Sequence, residues 1–241
     1  MSLAYPPTDI RPAHERGAAA TRVDAIATTF PITWGCLPAE ASSAAVMTAA
    51  NTYRIQSRYS EDTFVTHNWD GRGSRVEAVG CPWHLARALS QHLPEYRSVG
   101  VGVFLSCEDA FILQRRAQWV TQPGSINIIG ESASVEDIAN KELHLTNTAL
   151  RGVREELGVT LEKQDVTFFS IAATQATVAA FAYAHIPMPF ASVMDCWQQA
   201  SHHDEGVPVR MDCAGAMEAL RWRYSESVIR GGLFDCTPKA A

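Results

Sequence analysis

The segment from Leu150 to Val159 constrains the fold of this chain most strongly, because it predicts an amphipathic helix with an acidic side. At about 100° per residue, Glu155 and Glu156 fall away from the apolar stripe, and Gly158 is well placed to end the helix. An apolar stripe of this kind must be buried against another element. The segment therefore predicts a helix packed on a sheet, and the stripe consists of Ala149, Leu150, Val153 and Leu157.

The acidic side of this helix has the residue types of a cation site. Arg151 precedes Glu155 by four residues, so its guanidinium can bind and orient that carboxylate. Two adjacent, oriented carboxylates are typical ligands of Mg²⁺, which keeps several waters and bridges to substrate phosphates. The same three residues on an amphipathic helix are also compatible with a solvated, salt-bridged face.

The segment resembles the end of the Nudix box, G x5 E x7 R E U x E E x G U, where U is a bulky aliphatic residue. The match is position by position and comprises Arg151, Val153, Glu155, Glu156, Gly158 and Val159. The resemblance implies an α/β (α+β) fold, the Nudix-like α/β/α sandwich with a mixed sheet. It also implies Mg²⁺-dependent (or Mn²⁺-dependent) hydrolysis of a nucleoside diphosphate-linked compound. By that likeness Glu155 and Glu156 are metal ligands, and Arg151 orients them.

The upstream part of the box departs from the pattern. Gly152 stands where the box has its first helix glutamate, and Gly130 lies 21 residues before Arg151 where the box has 14. Glu142 lies nine residues before Arg151 where the box has eight. Gly130 and Glu142 are nevertheless the predicted counterparts, and we predict both as further metal ligands. An acid from a loop can replace a missing ligand, since a metal site requires charge and geometry in space and not a sequence order.

Two groups of acids are candidates for that replacement. One lies in the enlarged loop of the box and contains Glu131, Glu136, Asp137 and Glu142. The other is the loop 201–206 with His202-His203-Asp204-Glu205. Glu205 is predicted to activate water, and Glu142 is the alternative for that role. Each acid taken singly is also compatible with a solvated loop. Adjacent histidines in an extended loop point apart, which argues against zinc there.

The pattern along the chain predicts three parts. Residues 1–24 are predicted to form a loose arm, residues 25–96 an α+β lead-in segment, and residues 97–241 the Nudix-like domain. The lead-in is predicted to contain helices over 39–53 and 82–92 and extended segments over 53–57 and 75–79. The domain is predicted to contain paired strands over 99–106 and 110–115 and further strands over 168–174 and 177–185. Its predicted helices are one capped by Thr146 or Asn147 and a last one over 212–230.

Composition and charge narrow the choice of function. The 241 residues contain 20 Lys and Arg against 26 Asp and Glu, a formal charge of −6. No basic field is therefore predicted to bind a nucleic acid duplex or an anionic membrane, and a phosphate ligand is expected to need a metal. Arg115 and Arg116, at a strand end, are residues that can hold a phosphate. The apolar runs are shorter than a membrane helix needs, and the N-terminus has no secretory pattern, so a cytoplasmic protein is predicted. The six cysteines show no CxxC pair and are predicted to be free thiols.

Three functions remain open at this stage. The first is a Nudix-type pyrophosphohydrolase acting on a small nucleotide or nucleotide sugar. The second is a catalytically impaired Nudix-fold module that binds a nucleotide or regulates, and Gly152 favours it. The third is an interaction protein in which residues 25–96 mediate assembly. A homodimer is compatible with all three.

Overall fold

We describe the fold from a computed structural model, in which residues 21–22, 27–56, 62–71, 73–120 and 122–234 are described. Within these residues the helices are α1 (Ala44–Gln56), α2 (Trp83–His92), α3 (Leu145–Leu157), α4 (Phe190–Trp197), α5 (Cys213–Leu220) and α6 (Glu226–Phe234). The strands are β1 (Thr21–Arg22), β2 (Thr29–Trp34), β3 (Asp62–His67), β4 (Val76–Pro82), β5 (Tyr96–Cys107), β6 (Ala110–Arg116), β7 (Ile126–Asn127), β8 (Ile129–Ser132), β9 (Ile138–Ala139), β10 (Glu142–His144), β11 (Val166–Ala173), β12 (Thr177–Ile186) and β13 (Gly206–Met211).

Strand β5 is the centre of a mixed sheet. One edge of β5 pairs in parallel with β12 along ten residue positions, from Ser98 opposite Thr177 to Cys107 opposite Ile186. The other edge pairs antiparallel with three strands in succession, first β3, then β8 and then β6. Three separate parts of the chain therefore meet along one edge of β5, and the candidate site lies there.

Helices cover both faces of this sheet. Alternate residues of β5, from Val99 to Leu105, face the core that also contains Ala149, Val153 and Leu157 of α3. On the opposite face Phe104 packs in the core formed with α5 and α6, and α1 and α2 pack on β3 and β4. Each fully buried aliphatic side chain contributes about 1.5–3 kcal/mol to folding. The predicted mixed α/β class with a layered sheet is confirmed.

The sheet is continuous across the predicted boundary at residues 96 and 97. Strand β3 of the predicted lead-in segment pairs with β5, and β2 pairs with β10 just before α3. Strand β1, at the end of the predicted arm, pairs with β11, so residues 21–22 are extended. Most of the predicted arm lies outside the described residues.

Of the six cysteines, Cys236 lies outside the described residues, and the other five are free thiols. None of the described helices is both long and apolar enough to cross a bilayer.

Several predicted boundaries are wrong. The segment 53–57 was expected to be extended, but α1 continues to Gln56, and β3 takes its place as the strand that pairs with β4. Side chains of α1 pack against α2, and this tertiary burial overrides weak strand propensity. The predicted last helix is two helices, α5 and α6, with a break at residues 221–225. Helix α4 and strand β13 were not predicted.

The ends of α3 were predicted with unequal success. The helix ends at Gly158 as predicted, with φ at 69°, and a Cβ added there would lie 2.3 Å from the Cys196 carbonyl oxygen. The predicted caps Thr146 and Asn147 are wrong, because the helix begins at Leu145 with His144 as the N-cap residue. Leu145 is buried and its amide donates to the Thr28 carbonyl, so contact with the segment before β2 sets the start of the helix.

Candidate functional site

Arg151 is the centre of the candidate site, and only 4% of the residue is exposed. Its Nη1 lies 3.2 Å from Glu131 Oε1 and 3.2 Å from Glu155 Oε2, and its Nη2 lies 3.1 Å from Asp137 Oδ2. Nη2 also donates to the Ser132 carbonyl at 2.6 Å. Burial by itself lowers the pKa of this guanidinium, but the hydrogen bond and charge of Asp137, with the charges of Glu131 and Glu155, raise it overall. One cation therefore binds three carboxylates.

Asp137 joins the loop of the box to α3. Its carboxylate accepts from the Ser134 amide at 2.9 Å and from Thr148 Oγ1 at 2.9 Å, besides binding Arg151. Asp137 is 2% exposed, so every one of these bonds is made in a buried place where an unpaired charge is costly. Asp137 was a candidate replacement ligand, and the structure shows it as the residue that positions Arg151.

Glu156 faces the sheet and is 3% exposed. Burial raises the pKa of its carboxyl well above the ordinary value, and the charges of Glu131 and Glu205 raise it further. The charge of Arg116 and a hydrogen bond with Gln114 oppose this shift. Three carboxyl groups from α3, β8 and the turn before β13 thus come close enough to disfavour one another's ionisation.

The glycine at position 152 makes room for one of these carboxylates. A Cβ added at Gly152 would lie 2.6 Å from Glu131 Cβ and 3.1 Å from Glu131 Cγ. Real carbon atoms do not approach this closely without bonding, so a glutamate at 152 and the observed Glu131 exclude each other. The side chain of Glu131 thus passes over the position from which the glutamate of the box would project.

We expect Gly152→Ala to destabilise the fold by about 1–3 kcal/mol in urea unfolding, because its methyl group overlaps Glu131. In an ordinary exposed helix the same change would stabilise by about 0.5–1 kcal/mol. The double variant with Glu131→Gly removes the overlapping carbon, so the pair should show a coupling energy of about 1–3 kcal/mol. A stabilised Gly152→Ala protein would contradict the described packing.

The loop 201–206 is docked against the end of α3. The His202 amide donates to the Glu155 carbonyl at 2.8 Å, and His202 Nδ1 lies 3.6 Å from Glu205 Oε1 and 3.8 Å from Glu155 Oε2. Glu205 therefore reaches the site from outside the box. The second histidine, His203, contacts the Ala200 carbonyl instead, so the two imidazoles have different partners.

The remaining two predicted ligands have different placements. Gly130 lies on β8 opposite Gly102 of β5, directly before Glu131. Glu142 lies on β10, 41% of its side chain is exposed, and its carboxylate is 4.0 Å from His144 Nε2. The structure brings Arg151, Glu155, Glu156 and Glu205 together, and the described partner of Glu142 is His144.

Of the four acids in the loop of the box, Glu131 is the one whose side chain lies nearest to Gly152. It was considered as one of the loop candidates, and no single spacing distinguished it from Glu136. The signal was Gly152 itself, since a missing side chain on a packed helix face leaves space for a neighbour. Within the described ranges, no three His, Cys, Asp or Glu side chains form a group that could hold a metal ion.

Comparisons with known proteins give structural matches alone. No family model and no curated protein matches the sequence. A MutT NUDIX hydrolase from Burkholderia pseudomallei is 18% identical, with a TM-score of 0.39, over 58% of this chain and 98% of that chain. A MutT protein from Methanosarcina mazei Go1 is 13% identical, with a TM-score of 0.37, over 58% and 91%. A MutT/nudix family protein from Enterococcus faecalis is 16% identical, with a TM-score of 0.32, over 39% of each chain.

Proposed function

We propose that this chain is a Nudix-type hydrolase that cleaves a phosphoric anhydride bond in a nucleoside diphosphate-linked compound with the aid of Mg²⁺ or Mn²⁺. The observation that carries the proposal is the placement of Glu131 over Gly152, held to Arg151 by a 3.2 Å ion pair. A glycine in the box would remove one carboxylate from a hydrolytic site. Here the side chain of Glu131, from strand β8, occupies the space beside Gly152, and its Oε2 lies 3.6 Å from where a Cβ of residue 152 would be, so a carboxylate is still present beside the helix.

The donor set suits a hard divalent cation in its chemistry. Glu155 and Glu156 would hold the ion, with the Gly130 carbonyl as a further oxygen donor, since Mg²⁺ is usually bound by one or two carboxylates together with waters and substrate phosphates. Burial raises the pKa of Glu156, and the negative charges of Glu131 and Glu205 raise it further. A bound ion supplies neutralisation of charge on the diphosphate.

The chain's own residues have separable roles in this proposal. Arg151 holds Glu131 and Glu155 in place and is itself only 4% exposed, so we assign it as a positioning residue. Arg116 lies near Glu156 and can bind a phosphate oxygen beside the site. Glu205, 3.6 Å from His202, can accept a proton from the attacking water. Water attacks phosphorus, the anhydride bond breaks, and the two phosphate products leave separately.

A module that binds nucleotide without turnover is the second candidate function. The observation that favours it is that Arg151 binds Glu131, Asp137 and Glu155 at once, so these carboxylates are directed at a guanidinium in the described arrangement. In that case ligand should bind and no product should form. The homodimer and the cytoplasmic location stay predictions.

The test is release of phosphate or pyrophosphate-linked product from a panel of nucleoside triphosphates, dinucleotides and nucleotide sugars with Mg²⁺ or Mn²⁺. Glu155→Gln and Glu131→Gln are the test variants, and Glu218→Gln, on the exposed face of α5, is the matched control. We expect metal-dependent release that both test variants lose and the control retains. The absence of product across the panel, with nucleotides still raising the melting temperature, would reject the hydrolase in favour of the binding module.

A further inference from the structure

The turn that carries Glu205 is bonded to other parts of the chain along its backbone. Three consecutive carbonyl groups, those of residues 204–206, accept hydrogen bonds from donors outside the turn. In that order the donors are Trp119 Nε1 at 3.2 Å, the Ala117 amide at 2.8 Å and Trp197 Nε1 at 3.1 Å. The backbone on both sides of Glu205 is therefore held in place from outside the turn.

Two of these three donors are indole groups that reach the turn from different elements. Trp197 is the last residue of α4, and its side chain packs against the main core. Trp119 lies in the segment between β6 and β7 and is partly buried. Tryptophan rings often fill cores, and they can also stack on nucleobases. Here both rings direct their one polar atom, which can only donate, at the same turn.

The side chain of Glu205 points from this turn toward α3. Glu205 Oε1 lies 3.6 Å from His202 Nδ1, and the charge of Glu205 helps to raise the pKa of Glu156. The His202 amide donates to the Glu155 carbonyl at 2.8 Å, so the turn is also tied directly to α3. The indole groups therefore brace a turn that places a carboxylate beside the proposed metal ligands.

The position of such a carboxylate matters most if it accepts a proton during the reaction. Loops are more mobile than helices and strands, whereas a general base must lie within hydrogen-bond reach of the water that it activates. A displacement of about 1 Å at a reacting centre can lower the rate about a hundredfold. A base carried by a turn therefore needs the backbone of that turn to be fixed.

We propose that Trp119 and Trp197 are positioning residues that hold Glu205 where it accepts the proton of the attacking water. This assignment rests on the proposed function, because it takes Glu205 as the general base. Each indole acts through the backbone of the turn, and neither is assigned a contact with substrate. Loss of either N–H group should therefore slow the chemical step and leave substrate binding nearly unchanged.

The test is single-turnover hydrolysis by Trp119→Phe and Trp197→Phe, with a nucleotide of the panel that the unmodified chain cleaves. Phenylalanine keeps an aromatic ring and removes the N–H donor. We expect each variant to lower the maximal rate constant about tenfold and to change the half-saturating concentration less than about twofold. Trp222→Phe, at a residue that is 63% exposed, is the matched control and should retain both values.

Amide hydrogen exchange over residues 202–206 measures the bracing of the turn independently of turnover. Exchange should be faster by about tenfold in the two test variants and unchanged in Trp222→Phe, because each lost bond makes local opening of the turn easier. Melting temperatures identify any variant that fails to fold. Unchanged exchange in both folded test variants would overturn the assignment.

A double-mutant cycle with Glu205→Gln separates positioning of Glu205 from a general effect on the fold. If the indole acts through Glu205, Trp197→Phe should slow the Glu205→Gln protein by less than about twofold. Equal losses in both backgrounds, full activity of Glu205→Gln or of both tryptophan variants, or a change in half-saturation alone would overturn this assignment and keep the hydrolase. No product from the unmodified chain would reject the hydrolase and this assignment together.

Discussion

Glu156→Gln is expected to lower the hydrolytic rate by at least about a hundredfold while leaving the fold equally or more stable at pH 7. The rate falls because an amide is a poor ligand for a hard cation. Stability is retained because Gln is neutral and close to Glu in shape, and Glu156 is a buried carboxyl whose charged form is disfavoured by burial, Glu131 and Glu205. A residue that helps catalysis at the expense of stability behaves in this way.

The pH dependence of stability follows from the direction of the same pKa shift. The folded protein holds a proton on Glu156 above pH 4.5, the ordinary pKa, and the unfolded chain does not. The stabilisation by this group is therefore complete below pH 4.5 and is lost as pH rises toward the folded pKa. Glu156 changes the free energy of unfolding by at most about 1.4 kcal/mol per pH unit, and Glu156→Gln should remove this pH dependence.

The measurement is urea unfolding of both proteins in EDTA between pH 4.5 and 8, together with the product-release assay. Glu218→Gln, an exposed acid of α5 paired with Arg221, serves as the control and should keep both the slope and the activity. A Glu156→Gln protein that is less stable than the unmodified chain at pH 7 would contradict the described environment of this carboxyl. Retained activity would remove Glu156 from the proposed metal ligands.

Arg151→Met is expected to destabilise the fold by about 3–5 kcal/mol, the largest effect on stability that we predict. The substitution keeps much of the apolar stem but leaves Asp137, 2% exposed, without its cation, and removes the partner of Glu131 and Glu155. The Ser132 carbonyl also loses its 2.6 Å hydrogen bond. Because Asp137 links the loop of the box to α3, the loss should act on the whole site.

Arg154→Gln, one turn away on the same helix, is the matched control. Its side chain is 62% exposed and lies 3.9 Å from Glu155, so removing this charge should change the free energy of unfolding by less than about 0.5 kcal/mol. Chemical denaturation of the three proteins measures both effects. Similar small losses for the two variants would show that Arg151 is not the buried centre described here.

Local features of α3 were predictable from the sequence. Its apolar stripe, its end at Gly158 and the pairing of Arg151 with Glu155 depend on spacings of three to five residues, which a helix converts directly into proximity. Strands β5 and β6 were predicted for the same reason, since alternation of side chains is a local property. The start of α3 was not predictable in this way, because contact with the segment before β2 sets it.

Only the tertiary structure decided which acids lie near Gly152 and the end of α3. Glu131 is brought to Gly152 by the pairing of β8 with β5, and the sequence separation between the two residues says nothing about that register. The same holds for Glu205, which reaches the site on a turn between α4 and β13. An acid far along the chain can come close to this helix because electrostatic and steric contacts depend on distance in space.

The sequence by itself determined the class of fold, the helix that carries the carboxylates and the orienting role of Arg151, because each follows from short-range periodicity. It did not determine which acids from other parts of the chain lie beside that helix. The tertiary structure decided this by bringing Glu131 on β8 and Glu205 on the turn before β13 close to Glu156. Such contacts depend on strand register and on the docking of a loop, which short-range spacing does not encode.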